Sequence, residues 1–374
     1  MRHSACPPPR SLSVARRLSL GVILAALSGC SPFYVMRAAY EEGKILMNRK
    51  EIAEAIAAPD TSPDERNKLE LVLEAREFAI GMGLTPGESF TKFTHVDRDT
   101  LAWVVLGSKP DSFTLYTWWF PIVGRVPYKG FFEKASADAA AAALERRGYE
   151  SWVRGTEAIS TLGWFNDPVL STTLRNEPPR VVNTVIHEIL HSTVWIPSHV
   201  PFNESLANFV GNKGTAQFYA ARKNRCIEHC ETLAAEAVQG CRALQAEMQF
   251  AARIEALYAE LETIYSGPLA RAEKLRQREE VFARHTARLR ELFPKMKILQ
   301  KINNAELMQL KLYMTQLMLF EALYQKLNGS WDAFLAAMRD IAAATAKDAA
   351  ADPFKLLEQK VTIAIPPISE QLCR

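Results

Sequence analysis

The sequence predicts an α+β protein, predominantly helical, with a small β-sheet, a central amphipathic helix and a long helical hairpin. Three observations carry this. Apolar residues recur at helical spacing through most of the chain. One zone, residues 101–120, changes to β-branched and aromatic residues around a turn-forming SKPD. Beyond Gly214 the pattern is almost wholly helical.

Residues 32–57 read as one helix. The stretch PDTSPDERNK breaks it, and Ser62-Pro63-Asp64-Glu65 is a start signal for a second helix reaching about Met82. LAWVVLG (101–107) and FTLYTWWF (113–120) read as the two arms of a β-hairpin. A loop punctuated by Gly and Pro follows, then an alanine-rich helix at 136–147. SWVRGTEAIS and TLGWFNDPVLSTTL read as further strands, the second as an edge that an extended peptide could join. Pro178-Pro179 stand before a central helix at 180–195, whose apolar face is Val181, Val182, Val185, Ile186, Ile189 and Leu190. A long helix over about 215–265 meets Ser266-Gly267-Pro268, and a second runs to Phe293, forming a hairpin expected to project from the body. The last helices, 301–328 and 330–348, are apolar enough to pack on the core. The expected divisions are a leader at 1–29, a core at 30–214, the hairpin at 215–297 and C-terminal helices at 298–374.

The formal charge of +3 is concentrated at the start. Residues 1–29 hold four arginines and no acid, and the remainder has 41 basic against 42 acidic residues. That balance offers no basic track for a phosphate backbone, so nucleic acid is not an expected partner. Arg16 and Arg17 precede the apolar run LSLGVILAAL (18–27), which is too short to span a bilayer and ends in Leu27-Ser28-Gly29-Cys30. This arrangement resembles the lipobox of bacterial lipoproteins. The resemblance implies that Cys30 is acylated and becomes the mature N-terminus, a lipid tether facing the periplasm. Ser31 after the cysteine implies the outer membrane. Cys226, Cys230, Cys241 and Cys373 remain and allow three disulfide pairings. Cys226 and Cys230 with His229 between them lack the second ligand pair of a structural zinc knuckle.

The chemistry is written in HEILH, residues 187–191. Residues four apart share a helix face, so His187 and His191 can offer two imidazoles to one ion, here one Zn2+ per chain. Glu188 is rotated by about 100° around the axis, beside the ion rather than on it, where a general base for an activated water is needed. Two residues are candidates for the third ligand. His199 lies in a loop between prolines, and Glu204 follows His191 after twelve residues, where Asn203 can cap its helix. Glu204 is favoured, giving a zincin-like core with an unusually short connection. A metzincin would need histidine where Pro197 stands. Asn208 takes the place at which related sites carry an aspartate that orients a ligand histidine. Tyr128 and Tyr313 are candidates to stabilise the oxyanion. Asn303 and Asn304 could line the cleft or cap a helix.

YTWWFPIVGRVPYKGFF, AISTLGWFNDPVLSTTL, HEILH, FNESLANFVGNKG and KINNAELMQL stand in an order that resembles the bacterial lipoprotein family of predicted aminopeptidases, over essentially the whole mature chain. The resemblance implies zinc on His187, His191 and Glu204, Glu188 as base, and a peptide or protein substrate. Many members carry cysteines flanking the Phe-Pro-x-x-Gly turn, where this chain has Trp119 and Arg125. The G-x-M-x-N signature of aminopeptidases is missing, since IGMGL (80–84) does not match it. Hence an envelope endopeptidase of the same chemistry, or an inert zincin-fold scaffold that only binds, are the alternatives.

Overall fold

The computed structural model describes residues 40–41, 43–120, 124–156, 166–227, 230–294, 302–348, 350–361, 368 and 370–373. The leader, Cys30 and Ser31 lie outside them, as do residues 161–165 of the expected peptide-pairing strand. Among the described residues, no helix is long and apolar enough to cross a membrane.

The protein is α+β and predominantly helical, as the patterning requires. The first expected helix is interrupted. Helical residues 43–47 give way to β1 (Lys50–Glu51), which pairs antiparallel with β2 (Lys92–Thr94), and α1 (Ile52–Ala57) begins anew. Pairing between distant segments overrides the local helical period there. α2 (Pro63–Gly81) starts where its signal predicts, with Ser62 Oγ accepting from Glu65 N at 3.2 Å.

The expected hairpin forms only at its turn. Lys109 N bonds to Thr114 O and Tyr116 N to Gly107 O, after which the arms part. β3 (Ala102–Ser108) is taken by other partners, and β4 (Trp118–Phe120) pairs instead with β5 (Gly124–Val126). Trp119 and Arg125 are opposite one another in that ladder. β3 is the centre of an antiparallel sheet, between β6 (Tyr128–Phe131) and β7 (Glu150–Thr156). Directly paired residues share a face, and residues two apart share it again. The register Leu106↔Tyr128, Val104↔Arg154 and Ala102↔Thr156 therefore puts Tyr128, Val104, Arg154 and Thr156 on one side. Val105 and Val153 face the other way and pack on Ala137, Ala141 and Leu144 of α3 (Lys134–Arg146). Further along, β8 (Val169–Leu170) pairs parallel with β2, and α4 (Ser171–Leu174) follows.

α5 (Pro178–Thr193) is the central helix, and its six expected apolar residues are all fully buried. α6 (Val200–Asn224) packs along it. The expected division at residue 214 falls inside α6, because Gly214 makes contact there rather than a break. A Cβ at that position would meet Ile186 side-chain atoms at 3.2 Å. α7 (Cys230–Ser266) and α8 (Arg271–Leu292) form the expected hairpin, but it does not project. Leu244, Met248, Ala251, Ile254, Leu257 and Leu261 bury one face of α7 in the main core. The C-terminal segment is α9 (Asn304–Met314), α10 (Leu317–Lys326), α11 (Trp331–Lys347) and α12 (Pro353–Lys360). The single helix expected over 301–328 is split by Gln316, whose φ of 54° leaves the helical region. Of the three possible pairings, the disulfides are Cys226–Cys230, which closes the loop between α6 and α7, and Cys241–Cys373, which ties the chain end to α7.

Candidate metal centre

Two helices and a six-residue link build the centre. α5 carries His187, Glu188 and His191; α6 carries Glu204 on its second turn. Asn203 does not cap α6, which begins earlier, at Val200. Its side-chain amide instead clamps the link, with Oδ1 accepting from Ile196 N at 2.9 Å and Nδ2 donating to Ile196 O at 2.8 Å. His199 sits at the N-cap position of α6 and is not in the ligand cluster.

His187 Nε2 and His191 Nε2 are 3.3 Å apart, and Glu204 Oε2 is 3.4 Å and 3.7 Å from them. A tetrahedral ion with bonds of about 2.0–2.1 Å has ligand atoms about 3.3–3.4 Å apart, the edge of the tetrahedron. Two of the three separations match that edge and the third is 3.7 Å, so the three side chains could hold a metal ion with little movement, and they are the cluster able to do so among the described residues. Burial would raise the Glu204 carboxyl, but hydrogen bonds from both histidines hold it well below the usual range, so the ligand is ionised. Burial likewise works to lower His191, and the carboxylates of Glu204 and Glu188 outweigh it and raise it. His191 Nδ1 is buried without a partner, so the usual outer hydrogen bond on a ligand histidine is not made by protein here. Trp195 stands edge-on to His191, with ring centroids 5.4 Å apart.

The triad opens into a cleft of about 620 Å³. A larger cavity of about 830 Å³, between Phe78, Phe218, Arg222 and Trp331, contains no ligand cluster, so the chemistry belongs to the smaller one. Glu188 lines the cleft, and its Oε2 is buried with no hydrogen-bond partner. One face of α5, made by Arg180, Asn183, Thr184, His187, Glu188 and His191, forms the floor. The sheet face carrying Val104, Tyr128, Arg154 and Thr156 forms the opposing wall. Among the described residues, β7 is an edge strand beside the centre; most of the segment at 161–168 expected to play that part lies outside them.

Tyr128 and Tyr313, far apart in sequence, both line this cleft. The Tyr313 ring lies 6.3 Å from that of His187, and its hydroxyl accepts from Arg154 Nη2 at 3.1 Å. Burial first, then the Glu204 charge, raises both phenols, with Arg154 opposing, so each keeps a proton to donate. Asn208 does not orient a ligand histidine. Its Nδ2 donates to Glu247 Oε1 at 2.8 Å and Tyr313 O at 2.9 Å, and its Oδ1 accepts from Asn212. With Ser205, which bonds Leu312 O and Thr315 N, it fixes the end of α9 and hence Tyr313. Asn303 takes the capping alternative, whereas Asn304, the first residue of α9, accepts from the Tyr265 hydroxyl and donates to Lys109 O. Asn303 accepts from Glu306 N at 2.9 Å and donates to Ser151 O, holding α9 against β7.

The comparisons with known proteins agree in kind. A family described as "Putative aminopeptidase" matches residues 33–351. The chain belongs to that family. No curated protein and no solved structure matches it. Membership of the putative aminopeptidase family supports a peptidase, and the His-His-Glu triad is a cluster that could hold a metal ion. Arg154, Gln309 and Gly211 are site residues that sequence reasoning missed. Arg154 had a signal, the alternation Trp152, Arg154, Thr156 in an expected strand, but nothing in the chain says what that face meets.

Proposed function

We propose that this member of the putative aminopeptidase family is a zinc metallopeptidase that hydrolyses peptide bonds with an activated water. The observation that carries the reading is the tetrahedral spacing of His187, His191 and Glu204 beside an unpartnered Glu188 Oε2. Two imidazoles and one carboxylate, with the fourth direction open to a cleft, are the donor set of a catalytic zinc site. When bound, the ion supplies a Lewis acid that polarises the peptide carbonyl and acidifies water. Glu188 Oε2 takes the proton from the attacking water and delivers it to the departing amine. Tyr313, its hydroxyl fixed by Arg154, donates its proton as a hydrogen bond to the carbonyl oxygen as negative charge develops there. β7 offers an edge along which an extended peptide can lie.

Elemental analysis of the purified protein tests this first. One zinc in the wild type, lost in Glu204→Ala and kept in Glu188→Gln, with hydrolysis abolished in both, supports the reading. No metal after zinc is offered leaves the inert scaffold. Products from peptides with free and blocked N-termini separate the aminopeptidase from the envelope endopeptidase. The lipid tether on Cys30 and the periplasm-facing location belong to the same proposal. They rest on the lipobox-like Leu27-Ser28-Gly29-Cys30, and a Cys30→Ala variant that stays in the membrane fraction would overturn them.

A further inference from the structure

We infer that Arg154 is a receptor for a substrate carboxylate, so that the cleft selects peptides carrying an acidic group near the bond to be cut. This rests on the peptidase reading for what is cut, but not for what is bound.

Arg154 lines the cleft half-buried, and its hydrogen-bond partners are neutral. Nη2 donates to the Tyr313 hydroxyl, and the Gln309 amide, turned so that its oxygen accepts, takes Nη2 at 3.2 Å and Nε at 3.3 Å. Among the described residues, nothing accepts from Nη1 and no carboxylate pairs with the guanidinium. A half-buried charge without a counterion is costly, and a carboxylate from the ligand relieves that cost through charge-assisted bonds. The fork is already aimed. Gln309 and Tyr313 sit one turn apart on α9, so they hold the guanidinium in place, with Cζ 5.5 Å from the Tyr313 ring centroid, before a ligand arrives. Tyr313, to which Arg154 is bonded, has its ring 6.3 Å from that of His187, so Arg154 is linked to the triad through one residue.

The charge of the whole cleft points the same way. The charged residues in its described lining are Arg154, Arg180, Glu188 and Glu204, which balance. Arg180, whose charge also acts on Glu247 behind Asn208, stands two turns before His187, about 10 Å along the helix. A divalent ion on the triad would leave the cleft positive by its own charge, which draws anionic ligands in. Conversely, the described lining holds no carboxylate beyond the ligand Glu204 and the base Glu188 to receive an α-amine.

The test uses the full chain and matched tetra-alanine peptides in which Glu or Gln is moved through each position, each with a free or an amidated C-terminus. Binding is measured by calorimetry with and without zinc, and kcat/KM is measured on the same set. The expected result is about ten- to a hundredfold tighter binding of an anionic peptide than its neutral match, as for hydrogen bonds to charged groups. Preference for Glu peptides identifies a side-chain carboxylate; preference for free over amidated ends identifies the C-terminus. In Arg154→Gln the anionic-to-neutral ratio should fall to within about twofold while zinc is retained, and Arg154→Lys should keep part of it. Equal treatment of anionic and neutral peptides by the wild type overturns the inference. So does a ratio that Arg154→Gln leaves unchanged, since Arg154 would then serve only to hold Tyr313. Arg154-dependent binding of acidic peptides without hydrolysis of any peptide would instead sink the peptidase reading and leave the carboxylate site standing.

Discussion

Gly211 lies against His187. A Cβ added there would stand 3.3 Å from His187 Cβ and 3.2 Å from Asn183 Nδ2, so the missing side chain sets how closely α6 approaches α5. The two helices carry all three ligands, and their separation is the separation of Glu204 from the histidines. Gly211→Val should push them apart and weaken zinc binding at least tenfold, read by competition with a chromogenic chelator. Unchanged affinity would mean that the helices yield elsewhere.

Tyr313 should act in the transition state rather than in binding. Removing one hydrogen-bond donor from a developing oxyanion typically lowers kcat by about 10²–10³. Tyr313→Phe should show that loss with KM little changed, and Tyr128→Phe a smaller one. The opposite ranking would assign the donor to Tyr128.

Glu306 gives stability a pH dependence of its own. It is 4% exposed with no partner for its carboxyl, and burial pushes it up to about 7. The folded state therefore holds a proton that the unfolded chain releases near pH 4.5, so stability is full below that value and falls as pH rises towards 7. The shift corresponds to a loss on the order of 3 kcal/mol. Denaturant titrations at pH 4.5 and 7.5 should show Glu306→Gln lacking most of that fall.

Lys213 and Glu321 form a buried pair, 1% and 0% exposed in their side chains, with Nζ 3.0 Å from Oε1 and a further bond to Leu372 O. Removing one partner strands the other charge in the core. Lys213→Met should cost about 3–5 kcal/mol, and adding Glu321→Leu should recover most of it. Both numbers come from equilibrium unfolding. A double variant no better than the single one would show that the lost bond to Leu372 O, which secures the chain end, dominates.

Much of the architecture is local and so could be read in the chain. The apolar face of α5, the start of α2 at Ser62 and the helical C-terminal half follow from spacing and capping. The hairpin expected at 101–120 forms only at its turn because β-branched and aromatic runs announce strands but not their partners. β3 satisfied its two edges with β6 and β7, and Trp118–Phe120 was left to pair with β5. The placement of Asn208 and Asn203 failed for a similar reason. A short amide bonds whatever backbone packing brings to it, here Tyr313 O and Ile196.

By itself the sequence determined the shared helix face of His187 and His191 and the position of Glu188 beside them, because the spacing of residues along one helix is fixed by its local geometry. Only the tertiary structure decided that Glu204 rather than His199 completes the triad, and that Tyr128, Arg154 and Tyr313 meet above it. Those meetings depend on strand register, on the close approach at Gly211 and on the hold of α6 on α9. Each is a contact between segments that no local period connects.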